Sequence, residues 1–152
     1  AQANYHGPDK PGFIYADTDS IHCDISADEV KGITVHPTEY LCWKLEACWD
    51  VAWFTQQKTY IEHIVKEDME DCEPRYKITC AGMGKKSKTL LEMSLNGEKV
   101  QAGNGYSVHE ADFVNRKRDL EDFREGLVVP GKLIPKRMPG GIVLIDTDYE
   151  MN

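Results

Sequence analysis

Asp17 and Asp19 are the residues best suited to chemistry. They stand in Tyr15-Ala16-Asp17-Thr18-Asp19-Ser20, between the apolar runs Phe13-Ile14-Tyr15 and Ile21-His22-Cys23. Two β-compatible runs joined by a polar tip predict a hairpin. In extended backbone, residues i and i+2 face the same side, so both carboxylates would share a face. Like charges that close are unfavourable unless one takes a proton or a cation sits between them. Mg²⁺ bound by one or two carboxylates plus substrate phosphates is the usual use of such a pair. Asp and Ser are also ordinary turn residues, and D-x-D alone is more often a solvated turn than a metal site. The full Tyr-x-Asp-Thr-Asp-Ser string behind an apolar strand is far more specific.

The elements that must position this pair follow from the rest of the chain. The 152 residues suit one ordinary domain or two small ones, with 41% hydrophobic and 29% charged residues, as in soluble globular proteins. No apolar run approaches the ~20 residues of a membrane span, and no signal peptide pattern opens the sequence. The five cysteines include no C-x-x-C, which fits reduced thiols better than a disulfide framework or a zinc site. The net charge of −8 is unlike the basic footprint of a nucleic-acid binder. Its distribution is uneven. Residues 1–75 hold 6 Lys+Arg against 15 Asp+Glu, and residues 76–152 hold 12 against 11, so all the excess acidity lies with the carboxylate string. The bases of the second half cluster at Lys85, Lys86 and Lys88, at Arg116, Lys117 and Arg118, and at Lys132, Lys136 and Arg137. Each cluster alone reads as a solvated face; together they can form a phosphate-tracking surface.

Strands are predicted at Gly12–Ala16 and Ile21–Ile25, followed by one or two helical turns after the N-cap Ser26. The odd positions Leu41, Trp43, Leu45, Ala47, Trp49, Val51 and Trp53 are all apolar, which predicts a long half-buried strand with its Trp row in the core. A turn at Gln56-Gln57 leads to a strand from Lys58 to Val65. The acidic run Glu67–Glu73 reads as a solvated turn, and Arg75–Cys80 as a third strand. Character changes near Gly84. Lys85–Met93 and Val108–Glu125 are helical patterns, the latter stopped by Gly126. Leu127–Met138 contains two prolines and can only be an edge strand or an extended arm, and Ile142–Ile145 is a strand. The fold class expected is α+β: an antiparallel, β-rich part over residues 1–83 carrying the carboxylate hairpin, then a small mixed helix and β-hairpin region over residues 84–152.

Three blocks agree in order and spacing with one known family. Tyr15–Ser20 resembles the third polymerase motif of the family B DNA polymerases, and Lys58-Thr59-Tyr60 resembles the Lys-x-Tyr motif that follows it. Cys80-Ala81-Gly82-Met83 and the closing Pro139-Gly140-Gly141-Ile142-Val143-Leu144 resemble the palm end and C-terminal thumb of the protein-primed polymerases of small tailed phages. The resemblance runs from about Phe13 to the C-terminus and thins over residues 94–118.

The resemblance implies a DNA-directed DNA polymerase acting in replication, with residues 1–83 as the end of the palm and 84–152 as a thumb-like subdomain. Asp19 would be a direct metal ligand and Asp17 would support the metal and the incoming nucleotide, because two Mg²⁺ or Mn²⁺ ions clamp the attacking and leaving oxygens of an in-line phosphoryl transfer. Tyr15 and Thr18 would flank the primer end. Lys58 would hold a primer or template phosphate, and Tyr60 would pack on the primer-terminal nucleotide. Lys85, Lys86, Lys88, Lys136 and Arg137 would grip the duplex backbone. The implied partners are primer-template DNA, deoxynucleotides, a protein primer and the rest of a polymerase chain, with no membrane. The implied place is a bacterial host's cytoplasm. In the family, another metal-ligand Asp, the nucleotide-binding helix and a proofreading exonuclease lie upstream of the hairpin. These 152 residues are therefore expected to be a C-terminal piece that holds no ion tightly and is inactive alone. Three alternatives also use such residues. A metal-dependent glycosyltransferase and an Asp-nucleophile phosphatase both carry D-x-D, and a non-catalytic β-rich binding module would use the tip only as a turn.

Overall fold

A computed structural model describes residues 1–152. Contact density divides the chain into two units, Ala1–Cys48 with Val65–Glu73, and Trp49–Ile64 with Pro74–Asn152. The order is β1 (Phe13–Asp17), β2 (Ser20–Cys23), β3 (Ala47–Gln56), β4 (Thr59–Glu67), β5 (Glu70–Cys80), α1 (Lys85–Leu95), α2 (Val108–Asn115), β6 (Val128–Met138) and β7 (Gly141–Glu150), with short 3₁₀ turns at Gln2–Asn4, Ala27–Glu29 and Leu120–Asp122. The sheets are β1-β2, β3-β4-β5 and β6-β7. This is the α+β, antiparallel β-rich class that the sequence predicts.

In the first unit the predicted hairpin forms, with Tyr15 opposite His22, Ala16 opposite Ile21 and Asp17 opposite Ser20. Its base is held by a buried asparagine. Asn4 donates from Nδ2 to the Lys31 carbonyl at 3.0 Å and accepts the Lys31 N–H at 2.7 Å. The Asn4 carbonyl lies so close to Gly12 that a Cβ there would sit 2.1 Å from it, so only glycine fits. The helical turn expected after Ser26 is a single 3₁₀ turn, and the Ser26 N–H donates to Glu29 Oε2 at 3.3 Å.

Three sequence expectations need correction. The long strand starts at Ala47, not Leu41. Leu41 takes a left-handed φ of 64° and is 86% exposed. Trp43 is drawn into a parallel bridge with Val35, its N–H donating to the Thr34 carbonyl and its carbonyl accepting from the His36 N–H, each at 2.8 Å. The Trp row is also not core. Val51 and Trp53 are 48% and 42% exposed, and Ala52 and Phe54 are the half-buried neighbours. Alternation decides which residues share a face, not which face is covered. The acidic run is likewise only partly a turn. Asp68 and Met69 form the turn with φ of 51° and 67°, while Glu67 ends β4 and Glu70–Glu73 begin β5.

In the second unit β4 and β5 supply Ile61 and Ile78 to a core shared with Leu90, Leu91 and Leu95 of α1, and Ile64 is also buried. The Ser107 capping box starts α2: the Glu110 N–H donates to Ser107 Oγ at 3.1 Å and the Ser107 N–H to Glu110 Oε1 at 3.2 Å. The helical pattern over residues 108–125 resolves into α2 and the 3₁₀ turn, ending at Gly126 with φ of 90°. β6 and β7 form one long hairpin, with Pro135 opposite Leu144 and Met138 opposite Gly141. Both strands of a two-stranded ribbon are edges, so the two prolines of β6 are tolerated. Phe123, 1% exposed, sits in the core with Val114 and Val129. Phe123→Ala is expected to destabilise the second unit by about 3–5 kcal/mol, read as a lower midpoint in urea unfolding with little change in slope.

Candidate functional site

The carboxylates sit at the tip of the β1-β2 hairpin. Asp17 closes β1, half-buried, and Asp19 is exposed in the two-residue turn with Thr18. Thr18 takes φ of 50°, an outlier for a β-branched residue. This left-handed residue interrupts the extended backbone between the aspartates. The period-two argument for a shared face therefore stops at Asp17, and the turn itself aims Asp19. Thr18 Oγ1 donates to Asp17 Oδ1 at 3.2 Å, and Ser20 Oγ donates to the Asp17 carbonyl at 3.2 Å. Thr18 and Ser20 thus both brace Asp17. No three His, Cys, Asp or Glu side chains converge anywhere in the chain. One or two carboxylates at a solvated tip fit a hard divalent ion completed by water and phosphate oxygens, and do not make an all-protein cage.

Tyr15 and His22, paired across the hairpin, bring their rings to 5.5 Å. Burial of the imidazole holds the His22 pKa below its ordinary value, with the nearby Glu46 carboxylate offsetting part of the effect.

Lys58 occupies the turn between β3 and β4, exposed, with a left-handed φ of 59°. It falls in the turn and not in the strand that the sequence predicts. Its carbonyl accepts the Ala81 N–H at 3.0 Å, which ties the Lys-x-Tyr motif to the Cys80–Met83 block. The next residue, Thr59, is 3% exposed, and Thr55 Oγ1 donates to its carbonyl at 3.1 Å. The Tyr60 ring stacks on Phe54, centroids 5.0 Å apart.

The basic residues divide into two kinds. Lys86 is engaged within the second unit, 3.0 Å from Glu110 Oε2 and 3.7 Å from Asp146 Oδ1, and its pKa is raised chiefly by the Glu110 contact. Lys85 is exposed and Lys88 half-buried at the start of α1, whose first turn contains no acidic residue. Lys136 and Arg137 are exposed near the end of the β6-β7 ribbon. Sequence reasoning missed the Asp50–His63 pair, Nδ1 to Oδ1 2.6 Å, and the His109–Asp148 pair at 2.9 Å. Neither carries a local signal, since the partners are brought together only by the fold.

With this geometry in hand, comparison with known proteins defines a class. No protein-family profile matches the chain. The curated relatives are DNA polymerases of Bacillus phages: 28% identical over 149 residues in phage B103, 29% over 149 in phage Nf and 26% over 148 in phage phi29. Each alignment covers 90% of this chain and 21% of the relative, so the chain spans about a fifth of the length of the polymerases it matches. The chain is homologous to one region of the phi29-type DNA polymerases. Among solved structures, phi29 DNA polymerase complexed with primer-template DNA and incoming nucleotide superposes with a TM-score of 0.62 at 28% identity, covering 92% of this chain and 21% of that one. An orthorhombic crystal form of the same polymerase gives 0.62 at 26%. The polymerase reading is favoured over the glycosyltransferase, phosphatase and binding-module alternatives. No helix of the chain is long and apolar enough to cross a membrane.

Two outcomes test the hairpin. Because burial favours the neutral His22, its stabilising contribution is complete above pH ~6.5 and is lost as pH falls through the lowered folded-state pKa. The His22 C2–H resonance should titrate with a midpoint below ~6.5, and His22→Gln should remove that part of the pH dependence. Thr18→Gly should relieve the left-handed strain and leave stability unchanged or raised by up to about 1 kcal/mol in thermal unfolding.

Proposed function

We propose that this chain is the palm-end and thumb portion of a phage-type DNA polymerase that carries out template-directed nucleotidyl transfer. Residues 1–83 form the palm part and residues 84–152 the thumb-like part. The observation that carries the reading is an ordered set. The Tyr15–Ser20 hairpin, the Lys58-Thr59-Tyr60 turn and the closing β-ribbon follow one another in the order of the motifs they resemble, and the polymerase alignment covers 90% of the chain.

Each residue has a physical role. Asp19, exposed at the tip, presents its carboxylate to a divalent cation, Mg²⁺ or Mn²⁺, of which two serve the complete site. Such ions supply charge neutralisation at the attacking and leaving oxygens. Asp17, braced by Thr18 and Ser20, supports Asp19 and the incoming nucleotide. Tyr15 and Thr18 border the primer end. Lys58, raised on a strained turn whose carbonyl is anchored by Ala81, places its ammonium on a backbone phosphate. Tyr60 presents its ring edge or hydroxyl to the primer-terminal nucleotide while Phe54 supports its face. Lys85, Lys88, Lys136 and Arg137 contact phosphates of the duplex. Lys86, already paired with two carboxylates, makes the weakest contribution of that set.

The partners proposed are primer-template DNA, deoxynucleotides and the remaining polymerase residues, in a bacterial host's cytoplasm. A protein primer enters through the family resemblance alone. Two carboxylates do not hold two ions, so the 152-residue chain by itself should give no primer extension. The decisive experiment exchanges this chain for the corresponding region of a phi29-type polymerase. The chimera should extend a primer, and Asp19→Asn should slow it by about a thousandfold, ~4 kcal/mol of transition-state stabilisation. Undiminished extension by the Asn variant would sink the role of Asp19. In anisotropy titrations of the chain with primer-template DNA, Lys58→Ala should weaken binding equally across sequences and lower the salt slope by about 1.

A further inference from the structure

The segment between α2 and β6 folds around an open pocket of about 380 Å³, lined by Arg116, Arg118, Arg124, Asp122, Glu125 and Leu127 among others. Arg118 is half-buried and fixed. Its guanidinium carbon lies 3.7 Å from the centroid of the Phe113 ring. Its Nη1 donates to the Phe113 carbonyl, to the Arg116 carbonyl at 3.0 Å and to Ser94 Oγ at 2.9 Å. These contacts close the C-terminal end of α2, where helix carbonyls lack partners. They are all neutral oxygens, so they hold the group in place without neutralising it. Arg116 and Arg124 are exposed. None of the three arginines takes part in an ion pair. The charge on Arg118 is disfavoured first by burial and then by the Arg116 guanidinium, with Asp122 opposing. Asp122 is itself occupied, its Oδ2 accepting the Asp119 N–H at 3.0 Å.

We propose that this pocket binds a phosphate oxyanion. A fixed guanidinium with Nε and Nη2 unused, flanked by two exposed arginines, offers the planar paired donors that phosphate oxygens accept. An anion there would also relieve the repulsion between Arg116 and Arg118. The phosphate can come from a nucleic-acid backbone or from free phosphate or pyrophosphate. Its lining includes neither Asp19 nor Lys58, so its failure and theirs are told apart.

The test is side-chain NMR of the 152-residue chain with ¹⁵N-labelled arginine, titrated at constant ionic strength with pyrophosphate, with a single-stranded oligonucleotide, or with chloride alone. Saturable shifts of the Arg116, Arg118 and Arg124 Nε–H resonances are expected, absent with chloride. Response to pyrophosphate identifies a free-anion site; response to the oligonucleotide alone identifies a backbone site. The double variant Arg116→Gln/Arg124→Gln, exposed positions that leave the Arg118 contacts intact, should weaken binding by about tenfold or more with an unchanged circular dichroism spectrum. Lys58→Ala should leave these shifts unaltered. Absence of saturable shifts with both phosphate compounds, or wild-type affinity in the double variant, overturns the proposal.

Discussion

The second unit depends on the way α1 satisfies backbone groups of its neighbours. Buried amides and carbonyls must find partners. Glu92 Oε1 accepts the Ile78 N–H and Asn96 Oδ1 the Tyr76 N–H, both at 2.9 Å, along the outer edge of β5. On the other side, Ser87 Oγ donates to the Pro130 carbonyl at 2.8 Å and Ser94 Oγ donates to the Arg116 carbonyl. Both serines are fully buried. One helix thus joins the sheet, the β-ribbon and the arginine loop through polar contacts, while Leu90, Leu91 and Leu95 fill the space between. The arrangement has a charge consequence. Burial raises the Glu92 pKa, with the Ile78 N–H opposing, so the acid is retained for its hydrogen bond in spite of its solvation penalty.

The chain contains the triplet Asp-Thr-Asp twice, and the two copies show what a motif can and cannot say. Asp17-Thr18-Asp19 closes a tight hairpin with a left-handed threonine. Asp146-Thr147-Asp148 lies within the long strand β7, where Asp146 reaches Lys86 and Asp148 reaches His109. The same letters give a solvated acidic tip in one place and, in the other, an ion pair to Lys86 and a hydrogen bond to His109. Local composition does not separate them; the tyrosine two residues upstream, present only in the first copy, and the distance to a strand end do.

Legibility followed the range of the interaction. The carboxylate hairpin, the Ser26 turn, both helices and the closing ribbon rest on neighbours within a few residues, and all are readable from pattern and turn chemistry. The Trp row was misplaced because period two states nothing about which face finds a cover. The start of β3 was misplaced because Trp43 pairs with Val35, a contact decided by the path of the loop between them. In the site, the hairpin is legible, and a turn is expected at Gln56-Gln57, but Lys58 itself is expected in the strand. The bracing of Asp17, the anchoring of Lys58 by Ala81 and the engagement of Lys86 were not legible, since each requires knowing which side chain faces which backbone atom.

The covering of β5 by Glu92 and Asn96 also sets a direction of growth. A sheet extends by offering unpaired amides and carbonyls to a new strand. Along Tyr76 and Ile78 those amides are already taken by helix side chains. The other terminal strand is β3, the one that turns Val51 and Trp53 to solvent. Over that stretch β5 offers no template for a further strand, and growth of the sheet is turned away from it.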